Sequence, residues 1–161
     1  MIRHGGLLAL RLGGYWRGVL IEGPSGAGKS DLALRAMDAG FRLVADDRVV
    51  VFVSGGALYG RAAESLFGLM EARGLGVLSV ETLRFARIEL LARCAPTPQA
   101  VERMPSLEGE MLLGVEVAAF DLWPLEPSAP AKLRRALEGL GRGAQQAYQA
   151  SLAPPRRRLG A

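Results

Sequence analysis

Short apolar runs broken by glycine dominate the first half of the chain. Residues 7–12 (Leu-Leu-Ala-Leu-Arg-Leu) and 17–22 (Arg-Gly-Val-Leu-Ile-Glu) flank Gly13-Gly14-Tyr15-Trp16, which predicts two strands joined by a turn. Over residues 30–39, Leu32, Ala33, Ala36 and Met37 recur at helical spacing, and Gly40 stands where a helix stop is expected. The order obtained is strand, glycine loop, helix. Residues 41–45 then predict a buried strand running into Asp46-Asp47, and residues 49–53 a β-branched strand that ends at Ser54-Gly55-Gly56. Further on, the pattern predicts a helix over 62–72, strands over 77–80, 86–92 and 112–122, and a polar, proline-containing connection over 96–110. A last helical pattern covers 131–150, with Lys132, Arg134 and Arg135 early in it. There is no internal repeat. Residues 1–150 form one expected domain, and residues 151–161, with Pro154-Pro155-Arg156-Arg157-Arg158, a basic tail expected to be disordered.

Half of the 161 residues are apolar, enough for a core without metal or disulfide staples. Cys94 is the single cysteine, so no internal disulfide forms; with no signal-peptide pattern and no apolar run long enough to cross a bilayer, a cytoplasmic protein without membrane contact is expected. The formal net charge is +4. Its arginines are scattered among apolar residues and make no aromatic-interleaved stripe, so nucleic acid is not an expected partner. Only Lys29 and Lys132 are lysines, which makes each more informative.

Lys29 lies in Gly23-Pro24-Ser25-Gly26-Ala27-Gly28-Lys29-Ser30, a match to the phosphate-loop pattern G-x-x-x-x-G-K-[S/T], the Walker A motif. Glycines are needed there because backbone N–H groups converge on phosphate oxygens and side chains would block the approach. Lys29 would reach the β and γ phosphates, Ser30 would place its hydroxyl on Mg²⁺, and the helix that begins there would aim its positive end at the anion. ATP and Mg²⁺ are the expected cofactors. A glycine-rich turn before a helix is the plain alternative, but a preceding apolar strand and a following amphipathic helix favour nucleotide binding.

Such an enzyme needs a carboxylate for the metal, and a kinase acting on a hydroxyl benefits from a second to accept the proton. Asp46-Asp47, at the end of an apolar strand, are placed to supply both, as in a Walker B arrangement. Taken alone, Asp46-Asp47-Arg48 is a solvated turn. His4, the sole histidine, reads from position alone as a surface residue. Glu71-Ala72-Arg73-Gly74-Leu75-Gly76 reads as a helix C-cap with a charged flank; functionally, Glu71 could add a metal or water contact and Arg73 could neutralise the moving phosphoryl group. Arg103 lies in the polar connection.

These segments, His4-Gly5, residues 23–30, Leu-Val-Ala-Asp-Asp-Arg-Val over 43–49 and Glu-x-Arg-Gly-Leu-Gly over 71–76, occur in this order in HPr kinase/phosphorylase catalytic domains, which the chain strongly resembles from about residue 3 to residue 93. The resemblance implies an α/β P-loop kinase domain with a mixed sheet, related to the nucleotide-binding fold of phosphoenolpyruvate carboxykinase. It implies transfer of the ATP γ-phosphate to a serine of HPr, the small phosphocarrier of the bacterial sugar phosphotransferase system, and in many members removal by phosphorolysis. Carried over, the loop and Lys29 bind phosphates, Ser30 and Glu71 contact Mg²⁺, His4 joins the active site, and Asp47, with Asp46 beside it, takes the serine proton. It further implies a homo-oligomer, of a size left open.

Three departures stand out. The N-terminal regulatory domain of longer members is absent from these residues, so the chain looks like a compact form. Four extra residues around 13–16 lengthen the hairpin between His4 and the loop. The segment associated with dephosphorylation, residues 105–114 (Pro-Ser-Leu-Glu-Gly-Glu-Met-Leu-Leu-Gly), lacks its arginine, although Val101-Glu102-Arg103-Met104 nominates Arg103 as the arginine of that loop. Kinase activity is therefore the expectation, and whether phosphorylase activity accompanies it is left open. The alternatives are a nucleotide-responsive binding protein without catalysis and a small-molecule kinase of the same fold.

Overall fold

The structure, a computed structural model, describes residues 1–106 and 108–140. The end of the helix expected over 131–150 and the tail expected at 151–161 lie outside the described residues. β1 (Ile2–Leu12) and β2 (Tyr15–Glu22) form an antiparallel hairpin in unbroken register from Gly5↔Glu22 to Leu12↔Tyr15. Gly13 and Gly14 make its turn with φ of 58° and 85°, the pair of positive values that a two-residue hairpin loop needs. Tyr15 and Trp16, expected in the turn, belong to β2. The extra hairpin length thus sits at the end remote from His4.

The expected strand, loop and helix follow. α1 (Lys29–Asp38) buries Leu32, Ala33 and Ala36 against the sheet and stops before Gly40, whose φ is 98°. β3 (Arg42–Ala45) and β4 (Arg48–Ser54) both pair with β1, through Leu7↔Ala45 and His4↔Arg48, so they form one strand path interrupted at Asp46-Asp47. β5 (Ala57–Ala62) returns along β4.

The helix expected over 62–72 is not formed. A 3-10 turn (Glu64–Leu66) leads through Gly68, at φ 76°, into β6 (Leu69–Ala72), which pairs with β7 (Gly76–Ser79) as a separate two-stranded sheet. Met70 and Ala72 are buried while Leu69 and Glu71 are exposed, an alternation of period two that overrides the good helix propensities of this stretch. β8 (Ala86–Cys94) runs parallel to β2. The strand expected over 112–122 is a hairpin instead. β9 (Glu108–Leu112) turns at Leu113 and Gly114, φ 50° and 80°, into β10 (Val115–Leu122). α2 (Ala129–Gly139) starts two residues before the predicted helix, with a proline in its first turn.

The large sheet is mixed and runs β2-β1-β4-β5-β8-β10-β9, with β2 also paired to β8. Its pleat changes phase at Glu89. Gly18 faces Ile88 but Val19 faces Leu90, leaving Glu89 as a bulge, buried and bonded by Arg17 Nε at 2.5 Å. Before the bulge Ile88 joins the core that holds Leu7, Leu20 and Val51; after it, Leu90 and Ala92 join the core under the helices, with Leu8, Ile21, Leu32 and Leu133. Because β3 is antiparallel to β1 and β1 to β2, β3 runs in the same direction as β2, β8 and β10. The carboxyl ends of these four strands share one edge, where open α/β sheets collect their ligands.

Candidate functional site

Residues 23–28 leave β2 at that edge and enter α1. Lys29 Nζ donates to the carbonyls of Gly23 and Pro24, both at 2.8 Å, which arches the loop and leaves the ammonium a third hydrogen. Two of the glycines are required, Gly23 by packing and Gly28 by its backbone conformation. A Cβ on Gly23 would lie 2.6 Å from Cys94 Cβ, and one on Gly28, whose φ is 101°, would lie 2.7 Å from Leu125 Cδ2.

The carboxylates come from the break between β3 and β4. Asp46, only 8% exposed, accepts from Ser30 Oγ at 2.9 Å through Oδ1 and from the Glu71 amide at 3.2 Å through Oδ2. One buried side chain thus ties the start of α1 to β6. Asp47 has φ 67°, and the Arg48 amide donates back to the Asp46 carbonyl at 2.8 Å, so Asp47 is the centre of a γ-turn. This rare, strained turn thrusts an exposed carboxylate from the sheet edge, 3.7 Å from Arg48 Nε. The Gly5 amide fixes the turn from β1 by donating to the Asp47 carbonyl at 3.0 Å.

His4 pairs in register with Arg48 and, by strand alternation, shares the face of Leu8 and Leu10 that α1 covers. The structure therefore gathers the loop, Lys29, Ser30, Asp46, Asp47, the Glu71 backbone and His4 at one edge. Glu71 and Arg73 do not sit at a helix end. They belong to the β6–β7 hairpin, where Gly74 and Gly76 supply positive φ and both side chains are exposed. Arg73 and Arg103 are tied to the gathered residues by no hydrogen bond or ion pair among the described residues, and Arg103 is exposed on the connection after β8.

Other contributors came into view only through long-range pairing. Arg3 binds Glu22 through two contacts, of 2.5 and 2.6 Å, and reaches Glu110 at 3.4 Å; Arg93 joins Glu110 to Asp121. The Glu22 partner raises the Arg3 guanidinium further above its ordinary value. Arg35, one helical turn beyond Asp31, holds that carboxylate at 2.9 Å and also donates to the carbonyls of Pro124 and Glu126. No short sequence motif marks these residues.

Beneath the loop, burial pushes the Cys94 thiol up to about 11 from an ordinary 9.0, against the opposing pull of the Lys29 ammonium. At about pH 8, alkylation by iodoacetamide should be much slower than for free cysteine and should climb about tenfold per pH unit up to the shifted value. A rate equal to that of a free thiol would show that Cys94 is not packed under Gly23.

The HPr Serine kinase C-terminal domain family model matches residues 2–88. The chain belongs to that family. Among curated relatives, the HPr kinase/phosphorylase of Streptococcus thermophilus (strain ATCC BAA-491 / LMD-9) is 51% identical over 70 residues, 43% of this chain and 23% of the relative. That of Streptococcus mutans serotype c (strain ATCC 700610 / UA159) is 47% identical over 81 residues, 50% of this chain and 25% of the relative. The matched stretch of this family member thus spans about a quarter of the length of these relatives. Among solved structures, the Hpr(Ser) kinase/phosphatase from Coxiella burnetii superposes with a TM-score of 0.73, covering 94% of this chain and 96% of that one at 23% identity, and so shares its fold. No helix among the described residues is long and apolar enough to cross a membrane.

Proposed function

We propose that this member of the family is a P-loop serine kinase that transfers the ATP γ-phosphate to a serine of an HPr-type phosphocarrier. The observation that carries the reading is the 2.9 Å bond from Ser30 to Asp46, with the Asp47 carboxylate on the next residue. The hydroxyl that closes the phosphate loop and a strand-end acid are already joined, as in a Walker A and Walker B pair. The arrangement also fits a fold related to that of phosphoenolpyruvate carboxykinase.

The residues present fit Mg²⁺. Among the described residues no group of three His, Cys, Asp or Glu side chains forms an all-protein metal cage. Mg²⁺ needs none, since it is commonly held by one or two protein oxygens together with phosphates and water. Ser30 Oγ and the Asp46 carboxylate would hold it, with Glu71 supplying a further oxygen. Bound there, it would neutralise charge on the phosphate oxygens.

The chain's own groups do the rest. Backbone amides of residues 25–29 and the Lys29 ammonium fix the phosphates, and the N-terminus of α1 favours their charge. Asp47 orients the acceptor hydroxyl and takes its proton as the new O–P bond forms and the bond to the leaving ADP breaks. His4, on the neighbouring strand, would contact a phosphate oxygen. Arg73 and Arg103 would neutralise charge on the transferred group. The forward reaction is therefore the one proposed, and phosphorolysis is left outside it because the segment at 105–114 lacks the expected arginine.

The experiment is incubation of the chain with γ-labelled ATP and HPr from the same organism. A labelled serine on HPr is the expected result. Label appearing only on small hydroxyl compounds would overturn the acceptor assignment, and nucleotide binding with no transfer to either would leave a binding protein instead of a kinase.

A further inference from the structure

The phosphate loop is flanked symmetrically. β2, which delivers it, has β1 and then β3 on one side, ending in Asp46-Asp47; on the other side come β8 and then β10, ending in the segment 123–128. That second flank is built with unusual care for a connection. Arg35 donates to the carbonyls of Pro124 and Glu126, Lys132 holds the Glu126 carboxylate at 2.7 Å, and the Glu126 amide closes a turn on the Trp123 carbonyl. Ala95 binds the Leu122 carbonyl at 2.8 Å just before it. At the apex of this braced turn stands Leu125, which covers the Gly28 Cα yet stays 53% exposed.

An exposed leucine needs no explanation by itself, but one held rigidly against the phosphate loop does. We infer that Leu125 is the apolar seat for the base of the bound nucleotide, and that Arg35 is the residue that positions it. This rests on the phosphate-loop reading above. In-line phosphoryl transfer places the acceptor and the leaving oxygen on opposite sides of the phosphorus. With the acceptor at Asp47, the leaving diphosphate and its nucleoside extend toward the other flank. There a purine face meets the Leu125 side chain and buries apolar area that is otherwise wet. A leucine contact reads the flat face of a base and not its edge, so adenine and guanine nucleotides should bind alike at this point.

Calorimetric titration of the chain with MgATP, MgGTP and magnesium tripolyphosphate, which lacks a base, tests this. Leu125→Ala should weaken ATP and GTP about fivefold to tenfold and leave tripolyphosphate within about twofold, while Leu125→Met restores nucleotide affinity. Arg35→Ala should follow Leu125→Ala in this selectivity. Equal weakening of all three ligands would mean that Leu125 only props the loop, and unchanged ATP affinity would mean that the base lies elsewhere; either overturns the inference and leaves the phosphate loop standing. A wild-type chain that binds neither ATP nor tripolyphosphate would overturn both.

Discussion

Asp47→Asn is expected to lower phosphoryl transfer to the serine acceptor by about 10²–10⁴-fold, the range for a positioned proton acceptor, with nucleotide affinity nearly unchanged. The substitution is well suited to the question because asparagine accepts positive φ about as readily as aspartate. The γ-turn at φ 67°, the Gly5 bond to the carbonyl of residue 47 and the neighbouring Asp46 contacts should all survive. What is lost is the carboxylate alone. Single-turnover labelling measured beside ATP binding separates the two effects. A variant with the wild-type rate would remove Asp47 from proton transfer. One that lost ATP binding and rate together would make it a structural residue. Asp47→Gly provides a second check, since glycine also accepts the backbone and should fall to the same residual rate.

Lys29→Ala is expected to cost about 10²-fold or more in ATP affinity, the scale of losing one to two charge-assisted hydrogen bonds to phosphate. The loss has two sources. The ammonium contributes charge at the anion, and it also arches the loop by binding the carbonyls of Gly23 and Pro24. Lys29→Arg should not restore binding, because a planar guanidinium is wider and cannot occupy the narrow turn between these carbonyls as a point charge does. Thermal unfolding without nucleotide should change little for either variant, since no residue of the loop is buried: Pro24, Ser25 and Gly26 are exposed and the others half-buried. Retention of wild-type ATP affinity in Lys29→Ala would refute the phosphate-loop assignment.

What could be read from the chain divides by the range of the interaction responsible. The β1–β2 hairpin, the loop and α1 were legible because apolar period, glycine placement and the lysine act within about ten residues of one another. The acids at 46 and 47 were legible from the residues only as a pair, and the resemblance alone singled out Asp47. Only the pairing of β3 and β4 with the same strand shows why Asp46 is buried on Ser30 while Asp47 is turned outward. Residues 62–72 misled because Ala, Glu, Leu and Met favour helices locally; Gly68 was the contrary signal, and pairing of β6 with β7 decided the outcome. The turn inside 112–122 was hidden because leucine at φ 50° is a conformation its side chain disfavours, so Leu113 gave no turn signal beyond the glycine after it. Arg35, Leu125 and Cys94 acquire their places only from strands that meet after long chain separations.

The backbone at residue 47 also limits how activity can be inherited or lost. Asparagine bears a φ of 67° no worse than aspartate does and glycine bears it freely, and both are one base change from aspartate in the genetic code. Neither carries a carboxylate. A lineage can therefore silence the chemistry in one step while the sheet, the phosphate loop and the surface offered to a partner persist. Descent into a nucleotide-sensing protein with no turnover is, for this architecture, a short path that meets no folding barrier.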